Sequence, residues 1–207
     1  MNDFLITQPQ LASQKIQGRY VTHKSIDSFV KHFPFKTIGT STKSHPIHSI
    51  DMGSGSVKVL IWSQMHGNES TATKALMDAL CYLQQNPSFL AAFTLKVIPI
   101  LNPDGAEAYT RVNANDVDLN RDAINQSQLE SKLLVDVYKS FKPDYCFNLH
   151  DQRTIFGVND NPCMLSFLSP AADETKKHTT ARKKAMGVIG YIQNALQEHI
   201  PNQVGRY

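Results

Sequence analysis

Residues 57–87 read VKVLIWSQMHGNESTATKALMDALCYLQQNP, and the change of pattern inside them decides the fold class. Val57 to Trp62 is almost continuously apolar, as expected of a strand buried on both faces. A polar break follows from His66 to Ser70. Then Ala72, Ala75, Leu76, Ala79, Leu80 and Leu83 recur at the helical period until Asn86-Pro87, where the proline disfavours helical geometry in the residue before it. Strand, polar turn and helix form the first part of a βαβ unit.

Outward from that unit the order repeats. Leu95 to Leu101 is a second buried strand, and Tyr145 to Leu149 is a third that ends at His150. Between them a long loop, Asn102 to Gln126, is rich in Asn, Asp and Gly, the composition of a working loop. Ser127 and Glu130 have the spacing of a capping box for a helix carrying Leu133, Leu134, Val137 and Phe141, closed by Lys142-Pro143. Residues 163–168 suggest a fourth strand, and Asp173 to Glu198 a helix with Met186, Ile189, Ile192 and Leu196 on one face.

Upstream, two β-rich runs between Ile47 and Gln64 flank Gly53-Ser54-Gly55-Ser56, a hairpin signal. Ser25 to His32 suits a short helix with Ser25 as its cap. The order predicts the α/β class: a three-layer α/β/α domain with a mostly parallel mixed sheet. Residues 1–44 are expected to form an N-terminal segment packed on a domain of residues 45–207.

The 207 residues are 41% hydrophobic and 19% charged, enough to bury a full core. A net charge of +3 without a clustered basic face excludes nucleic acid as the expected partner. Cys81, Cys146 and Cys163 are an odd number in apolar segments, which argues against a disulfide framework and for small core residues. No run approaches the ~20 apolar residues of a membrane span, and Met1 to Tyr20 lacks a signal-peptide core, so a cytoplasmic protein is expected.

His66 and Glu69 stand three apart just after one strand, and His150 ends another, at the strand ends where α/β sheets collect their binding residues. Two imidazoles and a carboxylate suit one Zn²⁺ per chain, and three ligands leave an open coordination position. The other histidines, His23, His32, His45, His48, His178 and His199, lack a ligand partner at such spacing and are expected at the surface. Lys176, Lys177, Arg182, Lys183 and Lys184 fit one solvated helix face.

Between the candidate ligands lie Asn102-Pro103-Asp104-Gly105, Arg111-Val112-Asn113 and Asp118-Leu119-Asn120-Arg121-Asp122. Taken with His66-Gly67-Asn68-Glu69 and Asn148-Leu149-His150, this ordered set closely resembles the zinc carboxypeptidase superfamily over roughly residues 57–151. The resemblance implies that His66, Glu69 and His150 hold zinc and that Arg111 stabilises an oxyanion. It further implies that Asn120 and Arg121 grip the substrate's terminal carboxylate and that Asp118 supports a ligand histidine. Asn102 to Gly105 is expected to be a structural turn.

One family element has no match. The superfamily's general base is a glutamate on a late strand, whereas Glu174 and Glu198, the glutamates after His150, belong to the expected helix. The chain therefore resembles the first two thirds of a longer catalytic domain, with Gly205-Arg206-Tyr207 similar to the stretch ahead of the missing part. Such a domain leaves a strand edge open to a second copy, giving a homodimer. The implied function is a metallocarboxypeptidase acting on peptides, or peptidoglycan-type peptides, with a free carboxylate. Alternatives are an N-acyl amino acid deacylase of the aspartoacylase-like group, disfavoured by Asn-Pro-Asp-Gly, and a zinc-binding pseudoenzyme if the chain ends naturally at Tyr207.

Overall fold

Alternation along two adjacent strands explains how one sheet is covered on both faces. In the computed structural model, which describes residues 16–151, 157–158, 161–169, 175 and 179–206, strand β3 (Val57–Trp62) runs parallel to β4 (Phe93–Ile98). Ile61 lies opposite Val97, and Trp62 opposite Ile98. Ile61 and Val97 join a core with Leu76, Met77 and Leu80 of a helix spanning Thr71–Gln85. Leu60, Trp62 and Ile98 face a second core with Leu133, Leu134, Val137 and Phe141 of a helix spanning Leu129–Phe141. Leu60, Ile98 and Leu101 are fully buried, each contributing about 1.5–3 kcal/mol.

The remaining elements of the first part are α1 (Asp27–His32), β1 (Lys36–Thr40), β2 (Pro46–Met52) and β5 (Tyr145–Asn148). In chain order the helices already named are α2 (Thr71–Gln85) and α4 (Leu129–Phe141), with a short α3 (Pro103–Ala108) between them. The sheet order is β1-β2-β4-β3-β5. β3 pairs in parallel with β4 and β5, β2 is antiparallel to β4, and β1 is antiparallel to β2. Four strands thus share a direction and β2 opposes them, the mostly parallel mixed sheet with helices on both faces that the periodicity predicts.

The chain divides into two compact units, Met1–Asp151 and Gln152–Tyr207. Ile16, Val21, Ile26, Phe29 and Phe33 lie in the first, in the same core as Leu76 and Met77. Within the second, Leu165–Phe167 pairs in parallel with Val204–Arg206, and Thr179 caps α5 (Thr180–Leu196) by accepting from the Arg182 N–H at 3.2 Å. The strand expected at 163–168 is there; the first part of the helix expected from Asp173 falls partly outside the described residues. No helix among the described residues is long and apolar enough to cross a membrane.

Several local expectations are corrected. No hairpin forms across Gly53–Ser56, because β4 inserts between β2 and β3. Those glycines instead let the chain cross the start of β4: Gly53 has φ +81°, and a Cβ on Gly55 would lie 2.0 Å from the Ala92 carbonyl carbon. The first helical turn begins at His23, so Thr22 takes the cap position and Ser25 closes its capping box. Ser127 and Glu130 form no capping box; Gln128 is the cap residue, and the buried Asp122 carboxylate accepts from the Ser127 and Gln128 N–H groups and the Ser127 hydroxyl. Cys146 is exposed on the edge strand β5, and only Cys163 of the three cysteines is fully buried.

The long loop is more ordered than its composition suggests. Asn102 caps α3 by accepting from the Gly105 N–H at 2.9 Å, and its Nδ2 donates to the Met65 carbonyl. The buried Asp104 carboxylate accepts from the Ser41 hydroxyl at 2.6 Å and the Lys43 N–H at 3.0 Å, with His45 Nδ1 at 2.8 Å. Asn102-Pro103-Asp104-Gly105 therefore braces the β1–β2 turn on one side and the loop carrying His66 on the other. The contact is backbone on backbone: a Cβ on Gly67 would sit 1.9 Å from the Gly105 carbonyl carbon.

Gly67→Ala is expected to cost about 2 kcal/mol or more in urea unfolding, since neither backbone can yield cheaply; an unchanged midpoint would remove this contact as the brace. Burial pushes the Asp122 carboxyl up, but hydrogen bonds from Ser127 and Gln128 outweigh it and hold its pKa at about 2. A folded pKa below the unfolded value of ~3.9 stabilises above about pH 4, and that stability is lost as pH falls toward 2. Asp122→Asn should therefore flatten the stability profile between about pH 4 and 2 in acid titrations of unfolding free energy.

Candidate metal centre

The ends of β3 and β5 are neighbours, with Trp62 opposite Asn148 and the Leu149 N–H donating to the Trp62 carbonyl at 2.9 Å. His66 and His150 follow those ends, and their rings lie 4.7 Å apart between centroids. Glu69 reaches both: its Oε1 is 3.0 Å from His66 Nδ1, and its Oε2 is 2.8 Å from His150 Nδ1. One donor atom from each of the three residues falls within 4.8 Å of the others. His66 is only 2% exposed, so its ring is held by its surroundings.

The arrangement continues outward through Asp118. Asp118 Oδ1 lies 3.0 Å from His66 Nε2 and accepts the Asn120 N–H at 2.9 Å. Oδ2 of the same carboxylate accepts from Arg111 Nε at 3.1 Å, and Arg111 Nη1 reaches Glu69 Oε1 at 3.4 Å. Asn120 Oδ1 accepts from Asn148 Nδ2 at 3.4 Å. Arg121 is exposed, with its guanidinium on the Asn120 carbonyl at 3.1 Å, and shares no hydrogen bond with the triad among the described residues.

These contacts make a site that wants positive charge. A carboxylate only accepts, so with Asp118 on Nε2 and Glu69 on Nδ1 the His66 ring faces an acceptor from each nitrogen. A proton on Nε2 satisfies Asp118 and directs the Nδ1 lone pair to where Glu69 and His150 converge, the tautomer control usual for metal-binding histidines. Burial pushes the Glu69 carboxyl up, but hydrogen bonds and charge from His150 and His66 hold it down at about 2. Asp118 also stays below the usual range: burial raises it, and the Asn120 N–H, His66 and Arg111 lower it. Two imidazole nitrogens and one carboxylate, with a second carboxylate behind, fit a divalent borderline ion such as zinc.

An open cleft of about 620 Å³ is lined in part by Asn68, Thr71, Lys74, Tyr109 and Asp151. Sequence reasoning assigned no role to several groups in and around the site. Asp151 follows His150 and bonds to Glu69 and Thr71. Asn113 is buried and its Oδ1 accepts the Asn115 and Val117 N–H groups, shaping the loop between Arg111 and Asp118. His45, expected at the surface, is half-buried against Asp104, and His23, also half-buried, stacks on it at 4.6 Å.

Comparison with known proteins agrees with this geometry. The family model for zinc carboxypeptidases matches residues 23–192. Probable carboxypeptidase 2 of Trichophyton verrucosum is 27% identical over 127 residues, 58% of this chain and 23% of that protein. A metallo-carboxypeptidase from Burkholderia cenocepacia superposes with a TM-score of 0.66 at 20% identity, covering 90% of this chain and 53% of that one. Murein-tripeptide amidase MpaA from Escherichia coli O157 gives 0.50 at 22% identity, covering 59% and 63%. The match thus spans about a quarter of the length of the curated relatives. With the ordered motifs, the shared fold and a two-histidine, one-glutamate cluster at the strand ends, the chain belongs to the zinc carboxypeptidase family.

Proposed function

We propose that this protein is a zinc-dependent metallocarboxypeptidase that hydrolyses the last peptide bond of substrates with a free carboxylate, peptidoglycan-type peptides included. The observation that carries the reading is the convergence of His66 Nδ1, His150 Nδ1 and Glu69, with Asp118 behind His66. The fold shared with a murein-tripeptide amidase is consistent with the breadth of substrate. A cytoplasmic setting belongs to the same proposal, supported by an odd number of cysteines, which cannot all pair within one chain.

In this reading His66, Glu69 and His150 hold one zinc ion. Bound zinc supplies a Lewis acid that polarises a carbonyl and acidifies water toward a pKa of about 7. Asp118 keeps the His66 ring in place by accepting from Nε2. Arg111, beside both carboxylates, presents a fixed cation to negative charge developing on the scissile carbonyl. Asn120 and Arg121 bind the terminal carboxylate, for which a guanidinium can make two parallel hydrogen bonds. Arg121 is exposed, so it meets the substrate without first giving up a buried ion pair.

Asp118→Asn is expected to weaken zinc binding about 10–100-fold in chelator competition; unchanged affinity would take Asp118 out of the site. Protein from the complete natural reading frame, loaded with zinc, should release single residues from blocked peptides and lose that activity when the peptide C-terminus is amidated. Arg121→Ala should raise KM about 10-fold or more with little change in kcat, the signature of lost substrate binding. Zinc binding without turnover of any peptide would sink the carboxypeptidase reading, and turnover confined to acyl amino acids would replace it with a deacylase.

A further inference from the structure

The N-terminus of α2 is capped from another part of the chain. Its four leading N–H groups lack intrahelical partners, as in any α-helix. Ser70, in the cap position, makes no side-chain cap; its hydroxyl donates instead to the Arg19 carbonyl at 2.7 Å. The missing acceptor is Asp151, which arrives from the end of β5. Its Oδ1 accepts the Thr71 N–H at 2.9 Å, and its Oδ2 accepts the Thr71 hydroxyl at 3.0 Å. A carboxylate is favoured there by the helix dipole as well.

The same residue touches the metal centre from its backbone. The Asp151 N–H donates to Glu69 Oε2 at 3.2 Å, the oxygen that also faces His150 Nδ1. Glu69 lies two residues before Thr71, and His150 one residue before Asp151. A closed ring of covalent and hydrogen bonds thus runs from Glu69 through Thr71, Asp151 and His150 back to Glu69. The two arms of the centre are contributed by segments 80 residues apart in sequence, and this ring joins them without a metal.

We propose that Asp151 is a positioning residue that sets the separation of Glu69 and His150 before zinc binds, an inference that rests on the zinc reading above. Ligands already held together lose less freedom on binding the ion, so affinity is gained by preorganisation and not by a further ligand. Thr71 is the partner through which Asp151 acts.

The test measures zinc affinity by chelator competition on the full chain as wild type, Asp151→Ala, Asp151→Asn and Thr71→Val. Hydrogen exchange of the Thr71 amide is followed in the metal-free protein. Thr179→Ala, which removes the cap of α5 in the second unit, controls for a general loss of stability. Asp151→Ala should weaken zinc about 10–100-fold and expose the Thr71 amide. Thr71→Val should weaken zinc about 2–10-fold, Asp151→Asn should restore part of the loss, and Thr179→Ala should leave affinity unchanged. Zinc affinity of Asp151→Ala within about twofold of wild type overturns the inference alone. A wild-type chain that binds no zinc overturns the functional proposal and this inference with it. If Asp151→Ala does not fold, Asp151→Asn and Thr71→Val carry the comparison, and unchanged affinity in both overturns the inference.

Discussion

Trp62 accepts the Leu149 N–H at the point where β3 and β5 end side by side, and the candidate site depends on that parallel pairing. Parallel strands present their carboxyl ends at one edge of the sheet, so the residues that follow each strand meet in space although α2, β4, α3, a long loop and α4 separate them in the chain. His66 and His150 are brought together in this way. Helix-covered faces keep the neighbouring β3–β4 pairing dry, with Leu60 and Ile98 buried on one side and Val97 on the other, whereas β5 is only partly buried at the edge of the described sheet.

Around that edge, loop geometry is held by carboxylates and glycines. Asp104, Asp122 and Asp151 each accept a backbone N–H from farther away in the chain, and Asp118 accepts that of Asn120 in its own turn; these are the groups that loops leave without partners. A carboxylate offers two oxygens and several acceptor sites, so one side chain can hold two stretches of chain in register. Gly67 and Gly105 do the opposite work, letting two backbones approach to a distance that any Cβ would prevent. The Asn-Pro-Asp-Gly stretch thus has its physical explanation as a brace under the loop that carries His66 and Glu69.

The errors of sequence reading share a cause. Gly53 to Ser56 has hairpin composition, but glycine reports conformational freedom and does not name the strand's partner, and β4 takes the place between β2 and β3. Ser127 and Glu130 have capping-box spacing, yet Glu130 is fully buried, where it accepts from Asn113, and Asp122 takes over at the helix start. Cys146 sits in an apolar run but faces outward, because β5 is the edge of the described sheet. In each case contacts outside the local pattern decided the outcome.

What the sequence determined by itself was periodicity and residue type: the strands at Val57 and Tyr145, the helices from Thr71 and Leu129, the α/β class, and the identity of His66, Glu69 and His150 as candidate ligands. These are legible because burial period and ligand chemistry are properties of short segments. Tertiary structure alone decided which strand lies beside which, which ring nitrogen faces Asp118 and which faces Glu69, and that Asp151 caps a helix begun 80 residues earlier. Those outcomes depend on distances between segments far apart in the chain, and only the packed sheet sets such distances.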